Sequence, residues 1–96
     1  MPLVKKKLLT IVTESALQTT LIKELKRHSV TEYTQMESYG EGAKGVRTGD
    51  WDQNRNVTIQ VICSEELGEY LLNLVHTTYC EDYALIAYLS DIEVPS

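Results

Sequence analysis

The chain has 96 residues, 43% hydrophobic and 24% charged, with a net charge of −5 and a pI near 4.9. This is the composition of one ordinary globular domain, and at this length only about 60–65% of the unfolded surface is buried, so oligomerisation would help the core. The acidic balance argues against a nucleic-acid or anionic-membrane surface, and any anion site must be a local basic spot on an acidic body.

Residues 1–7 are basic, but the apolar stretch after them, residues 8–12, is too short for a signal-peptide core and contains Thr10. Nothing approaches the roughly 20 apolar residues of a membrane span, so a cytoplasmic protein is expected. Residues 6–13 are short, apolar and partly β-branched, and read as a buried first strand. Thr13 is placed to cap a helix, with Glu14 in its first turn. Leu17, Leu21 and Leu25, joined by Ile22, form one apolar face of that helix to about Arg27. Residues 33–39 alternate enough for a second strand, and a long glycine-bearing loop follows at about 40–55. Residues 56–63 are the clearest strand, with Val57, Ile59 and Val61 on one face. Ser64 caps a second helix whose buried stripe is expected to be Leu67, Tyr70, Leu71, Leu74, Val75 and Thr78, with Gly68 inside it for close packing. Residues 83–89 read as a last, buried strand.

The order is βαβ–loop–βαβ. Right-handed crossovers then predict an α+β, ferredoxin-like domain over residues 1–96: a four-stranded antiparallel sheet with both helices on one face. The open face needs a cover, and a partner subunit is the simplest one.

Four of the five glycines lie between positions 40 and 49, and Gly40 to Gly45 spells G-x-G-x-x-G. Glycine lets the backbone approach a ligand, successive N–H groups form anion nests, and Lys44 and Arg47 bring charge suited to phosphate. The run follows a strand but opens no helix, which removes the dinucleotide-fold reading, and it lacks the G-K-[ST] of a phosphate P-loop. Val46 stands one residue, not two, after the last glycine, which removes the kinase-type loop. Length is more telling: about 16 residues join strands that a short turn could connect, and loops this long are usually functional or disordered. Trp51, the chain's only tryptophan, lies in it between Asp50 and Asp52, as an anchor for a partner would.

Cys63 and Cys80 have no metal-ligand spacing and read as reduced thiols. His28 and His76 are isolated, and Glu81-Asp82 reads as a solvated turn. No nucleophile–base set or metal site is evident, so an enzyme is not expected.

With the residues Ile11-Val12-Thr13-Glu14, Tyr33-Thr34, the run Gly40-Glu41-Gly42-Ala43-Lys44-Gly45-Val46-Arg47, and Asp82-Tyr83-Ala84, the chain resembles PII-like signalling proteins over nearly its whole length. The likeness is to the branch that holds the SbtB and carboxysome-associated PII proteins. The resemblance implies a homotrimer with nucleotide sites in the clefts between subunits, at the base of a long T-loop. It places Gly40 and Gly42 at the phosphates, Lys44 at a phosphate-side position and Arg47 as the phosphate-pairing arginine. Thr34 then lines the adenine pocket, Ile11 and Ile62 pack near the base, and Tyr83, Ala84 and Leu85 form the B-loop. Thr48, Gly49, Asp50, Trp51 and Asp52 become the T-loop tip that docks on a partner. Glu41 and Leu85, where the family often carries lysine or glycine, favour AMP, cAMP or ADP over ATP. The implied partner belongs to inorganic-carbon metabolism, with a bicarbonate transporter at the inner membrane face the leading expectation and bicarbonate a co-ligand. The alternatives are a nitrogen-type PII-like sensor and a divalent-cation-tolerance-like trimer; a small phosphohydrolase or an RNA-binding module of the same outline fits less well.

Overall fold

A computed structural model of the chain describes residues 2–39 and 55–96. Strand β1 (Leu3–Glu14) runs into a single 3-10 turn (Ser15–Leu17) and helix α1 (Gln18–Arg27). Strands β2 (Thr34–Tyr39) and β3 (Arg55–Cys63) follow, then helix α2 (Glu65–Tyr79) and strand β4 (Leu85–Pro95). The sheet order is β2-β3-β1-β4 with every neighbouring pair antiparallel. This is the expected ferredoxin-like arrangement.

Strand parity decides what each face carries. Leu9 and Ile11 of β1 share a face with Val57, Ile59 and Val61 of β3, and both helices cover it with Leu17, Leu21, Leu25, Leu71 and Val75. Those side chains are the core. The opposite face carries two cross-strand rows: Thr34, Gln60, Thr10 and Tyr88, then Met36, Thr58, Val12 and Ile86. Met36, Ile62, Ile86 and Tyr88 are all exposed there. Among the described residues nothing lies over them, as the uncovered face predicts.

Three local expectations are corrected. Thr13 caps no helix: it is the penultimate residue of β1, and its hydroxyl is spent on the Ala84 carbonyl. The chain instead leaves β1 through the 3-10 turn, α1 starts at Gln18 without a side-chain cap, and Glu14 stands outside its first turn. The buried stripe of α2 is Gly68, Leu71, Val75 and Tyr79, with the expected Leu67 packed against the core beside it; Leu74 is partly covered, and Tyr70 and Thr78 are exposed. Strand β4 is neither short nor buried: it runs to Pro95 and alternates between partly covered and exposed residues. Its final stretch pairs with β1 from the end of β3 onward, setting Asp91 opposite Lys7 and Glu93 opposite Lys5. The Ser64 cap is present, its hydroxyl oxygen accepting from the Leu67 N–H at 3.1 Å, with Glu65 and Glu66 in the first turn.

Candidate functional site

One end of the sheet carries the residues that flank segment 40–54, which lies outside the described residues. The register sets Glu14 opposite Asn56 and Asn56 opposite Ser38, so β1 stops beside Tyr39 and Arg55, the residues that flank segment 40–54. On the other flank, Thr13 stands opposite Leu85. The turn before β4 is therefore held against the end of β1. Thr13 Oγ1 donates to the Ala84 carbonyl at 2.6 Å, and the Ala84 N–H donates to Glu14 Oε2 at 2.9 Å. Two consecutive side chains thus satisfy both polar groups of a residue some 70 positions away, and Ala84 is buried between them. The Asp82 and Tyr83 N–H groups both donate to the Tyr79 carbonyl, at 3.2 and 3.1 Å. The amides of residues 82–84 are all used within the chain.

The charges at this end are mostly carboxylates. Arg55 lies 3.4 Å from Glu37, near enough for an ion pair although the Nε–H is not aligned as a hydrogen bond. Glu14 makes no ion pair among the described residues. Asn56 is buried, and its side-chain oxygen has no hydrogen-bond partner there either.

The second candidate lies at the far end of β2. A shallow cavity of about 180 Å³ on the open-face side is lined by Glu32, Tyr33, Thr34, Gln60 and Ile62. Thr34 and Gln60 are cross-strand partners, and Ile62 is two residues further on the same face. Gln60 donates through Nε2 to Thr10 Oγ1 at 3.3 Å, which leaves its carbonyl end for a ligand. The chemistry is an apolar wall with hydroxyl and amide groups beside it, suited to a flat heterocycle with hydrogen-bonding edges.

Of the residues singled out in the sequence, the structure brings Thr34 and Ile62 together in this cavity. Ile11 does not join them: it is fully buried on the helix-covered face, because odd positions of β1 point there. Tyr83 and Leu85 pack against the core, Tyr83 edge-on to Tyr79 with ring centroids 6.3 Å apart. Gly40, Gly42, Lys44, Arg47, Thr48, Gly49, Asp50, Trp51 and Asp52 lie outside the described residues. Gln60 and Glu32 were not singled out, and Tyr33 only as a residue that carries the family resemblance. The signal for them was Gln60 itself, a polar residue on the parity opposite to the core in an otherwise apolar strand.

Both cysteines are free thiols; burial pushes the Cys63 thiol above its usual pKa, with nearby Lys6 opposing weakly. No group of three metal-ligating side chains occurs among the described residues, and none of their helices is long and apolar enough to cross a membrane.

The described residues form a ferredoxin-like α+β domain with a shallow cavity on the open-face side of its sheet. The sequence model of the family described as nitrogen regulatory protein P-II matches residues 6–95, and the chain belongs to that family of PII-like signalling proteins. Among solved structures, a PII-like signalling protein from Thermus thermophilus is 39% identical, with a TM-score of 0.80 over 98% of this chain and 93% of that one. A second is CPII from Thiomonas intermedia K12, a PII-like protein solved bound to ADP and bicarbonate: 26% identical, TM-score 0.79, covering 99% of this chain and 93% of that one. CPII bound to ADP, AMP and bicarbonate matches with TM-score 0.81 at 24% identity over 99% and 98%, which speaks to the fold.

Proposed function

We propose that this protein is a trimeric sensor that binds an adenine mono- or diphosphate between subunits and reports it through the 40–55 loop. The observation that carries the reading is a separation. The Thr34 cavity and the loop root lie at opposite ends of β2, five residues or about 17 Å apart along the strand. A base in the cavity of one chain and a phosphate at the loop root of the same chain are hard to reconcile in one mononucleotide. A second copy that brings its loop root to the first copy's cavity completes the site, and it also covers the exposed face. Three copies related by rotation close such a head-to-tail contact.

In this reading Thr34, Gln60 and Ile62 hold the base. Gly40, Gly42, Lys44 and Arg47 of the neighbouring copy hold the phosphates, while Tyr83, Ala84 and Leu85 of that copy shape the wall. With the 82–84 amides already used, the turn contributes shape and not hydrogen-bond donors. Ligand shifts the loop only as far as it prefers one loop state over another, and loop ordering is a common form of such switching. Residues 48–52 carry the signal to the partner, which belongs to inorganic-carbon uptake; a transporter partner would hold the protein at the inner membrane face. Bicarbonate as co-ligand is supported by the ADP- and bicarbonate-bound relative. A nitrogen-type sensor is the second reading, favoured by the matched family's description. A bicarbonate-dependent change in nucleotide affinity supports the first reading, and its absence the second.

Subunit mixing tests the composite site. A base-half variant (Thr34→Val with Gln60→Leu) and a phosphate-half variant (Arg47→Ala) are each expected to bind ADP poorly. Co-refolded in equal amounts, they should regain intact sites in about a quarter of clefts by random assortment. No regained binding would refute a site shared between copies.

A further inference from the structure

We infer that the groove between helix α1 and the edge strand β2 binds a small organic anion, a carboxylate on a flat apolar body, at a site separate from the proposed nucleotide site. Helix α1 carries two stripes. Leu21 and Leu25 face the core, while Thr19, Ile22, Lys23 and Lys26, at spacing i, i+3, i+4 and i+7, share a second face. That face and the pair Tyr33 and Gln35 line a cavity of about 300 Å³. Gln35 stands opposite core-facing Ile59, so the cavity lies on the helix side of the sheet, away from the open face that the proposed assembly covers. Ile22 and Tyr33 are half-buried against the core, which gives the cavity a fixed apolar wall. The Lys26 ammonium sits over the Tyr33 ring, 6.0 Å from its centroid. Gln18 donates through Nε2 to Gln35 Oε1 at 2.7 Å, which ties helix to strand and leaves the Gln35 amide N–H groups for a ligand.

The charge of this cavity is the opposite of the chain's. The protein carries −5 overall, yet the lining holds two lysines and no carboxylate. Neither Lys23 nor Lys26 has an ion-pair partner among the described residues. The carboxylates nearest in the sequence are engaged or placed elsewhere. Glu24 meets Arg27 at 3.3 Å and His28 at 3.4 Å, Glu37 meets Arg55 at 3.4 Å, and Glu32 lines the Thr34 cavity. Two surface ammonium groups alone would attract any anion. The wall beside them narrows the choice. Ile22, the Tyr33 ring and the lysine stems offer apolar contact, so a ligand with a flat body gains burial that a bare ion lacks. The volume, at the lower end of the range for ligand pockets, suits one ring and its acid group. The two cavities share a single lining residue, Tyr33, so this site is complete without a nucleotide.

The probe is benzoate, titrated near neutral pH into the isotopically labelled full chain without nucleotide and followed by two-dimensional amide NMR. The amides of Thr19, Ile22, Lys23, Lys26, Tyr33 and Gln35 are expected to shift on one curve with a midpoint of about 1–10 mM. Attraction between unit charges about 4 Å apart in a water-like medium is worth about fivefold in affinity. Lys23→Gln and Lys26→Gln should therefore each weaken benzoate about fivefold, and both together more than about 20-fold. Both side chains are exposed, so the variants should keep the wild-type spectrum elsewhere. Arg27→Gln removes an exposed cation of the same helix that does not line the cavity, and should leave the affinity unchanged. Benzamide keeps the ring without the charge and acetate keeps the charge without the ring; each should bind at least about tenfold more weakly than benzoate. The nucleotide reading can fail without touching these outcomes, because no nucleotide is present. The inference is overturned by an absence of shifts in these amides at about 20 mM benzoate, by acetate or benzamide matching benzoate, or by Arg27→Gln weakening it as much as the lysine variants do.

Discussion

Replacing Thr13 with valine tests how firmly the turn before β4 is tied to the rest of the fold. Valine has nearly the shape of threonine, so the packing around this fully buried residue is retained and no cavity opens. What is lost is the 2.6 Å bond from Thr13 Oγ1 to the Ala84 carbonyl. Ala84 is itself buried, so its carbonyl cannot turn to water, and an unpaired buried acceptor costs about 1–3 kcal/mol. For a domain of this size that lowers the Tm by about 4–8 °C per kcal/mol. The melt is followed by circular dichroism at one fixed protomer concentration, because assembly makes Tm concentration-dependent. Thr13→Ser retains the hydroxyl and should lose much less. The double variant Thr13→Val with Glu14→Ala should lose less than the sum of the singles, since both act on one residue. Equal melts for the serine and valine variants would refute the hydrogen-bond account, and additive losses would refute the coupling.

Four further outcomes are expected. Gly68→Ala gains about 1 kcal/mol of helix propensity, but the new Cβ would meet Leu89 Cδ2 at 3.1 Å and Cys63 Sγ at 3.2 Å; overpacking of about 1–3 kcal/mol should win, and a raised Tm would contradict it. The Lys7–Asp91 hydrogen bond holds the Asp91 carboxyl below its ordinary 3.8 and raises Lys7 above 10.5, so its contribution is present between those values. It is lost as pH falls through the lowered Asp91 value or rises through the raised Lys7 value, and the exposure of Asp91 keeps it small; Asp91→Asn should flatten the acid limb of a stability-against-pH curve, and an unchanged limb would count against the pairing. Iodoacetamide followed by mass spectrometry should label partly exposed Cys80 well before Cys63, whose buried thiol resists ionisation, and the reverse order would place Cys63 wrongly. Arg47→Ala should cost about 1.5–3 kcal/mol of ADP binding in calorimetry, and unchanged affinity removes that residue from the site.

Periodicity made the core legible: Leu21 and Leu25, Leu71 and Val75, and the alternation of Val57, Ile59 and Val61 all point inward as their spacing requires. Where it failed, a longer-range partner had claimed the residue. Thr13 looks like a helix cap in local sequence, yet its hydroxyl serves Ala84, 71 residues later. Asp91 and Glu93 look like a polar tail, yet opposite Lys7 and Lys5 they extend β4 as a strand. Tyr70 lies on the flank of the α2 stripe, where it meets the His28 ring edge-on at 5.3 Å, and the stripe continues one turn on to Tyr79. For the candidate site, strand parity puts Thr34 and Ile62 on the open face and turns Ile11, at an odd position of β1, to the core. Gln60 has the opposite parity to Val57, Ile59 and Val61, so strand alternation puts it on the other face.

In the proposed reading, that other face ties assembly to ligand. Met36, Ile62, Ile86 and Tyr88 are exposed together, and Ile62 also forms one wall of the Thr34 cavity. A copy that covers the apolar residues therefore closes the cavity as well. In the proposed assembly, removing this apolar surface from water at about 25 cal/mol per Å² would supply the driving force, and the polar groups of Thr34 and Gln60 would fix how the copies align. A ligand that bridges two copies binds the assembled state and not the separated chains, so it must stabilise the assembly by mass action. The reading accordingly requires ADP to raise the melting temperature most at low protomer concentration, where dissociation contributes most to unfolding. A ligand shift that is the same at every concentration would mean a site contained within one chain, and would move the phosphates away from the neighbouring loop root.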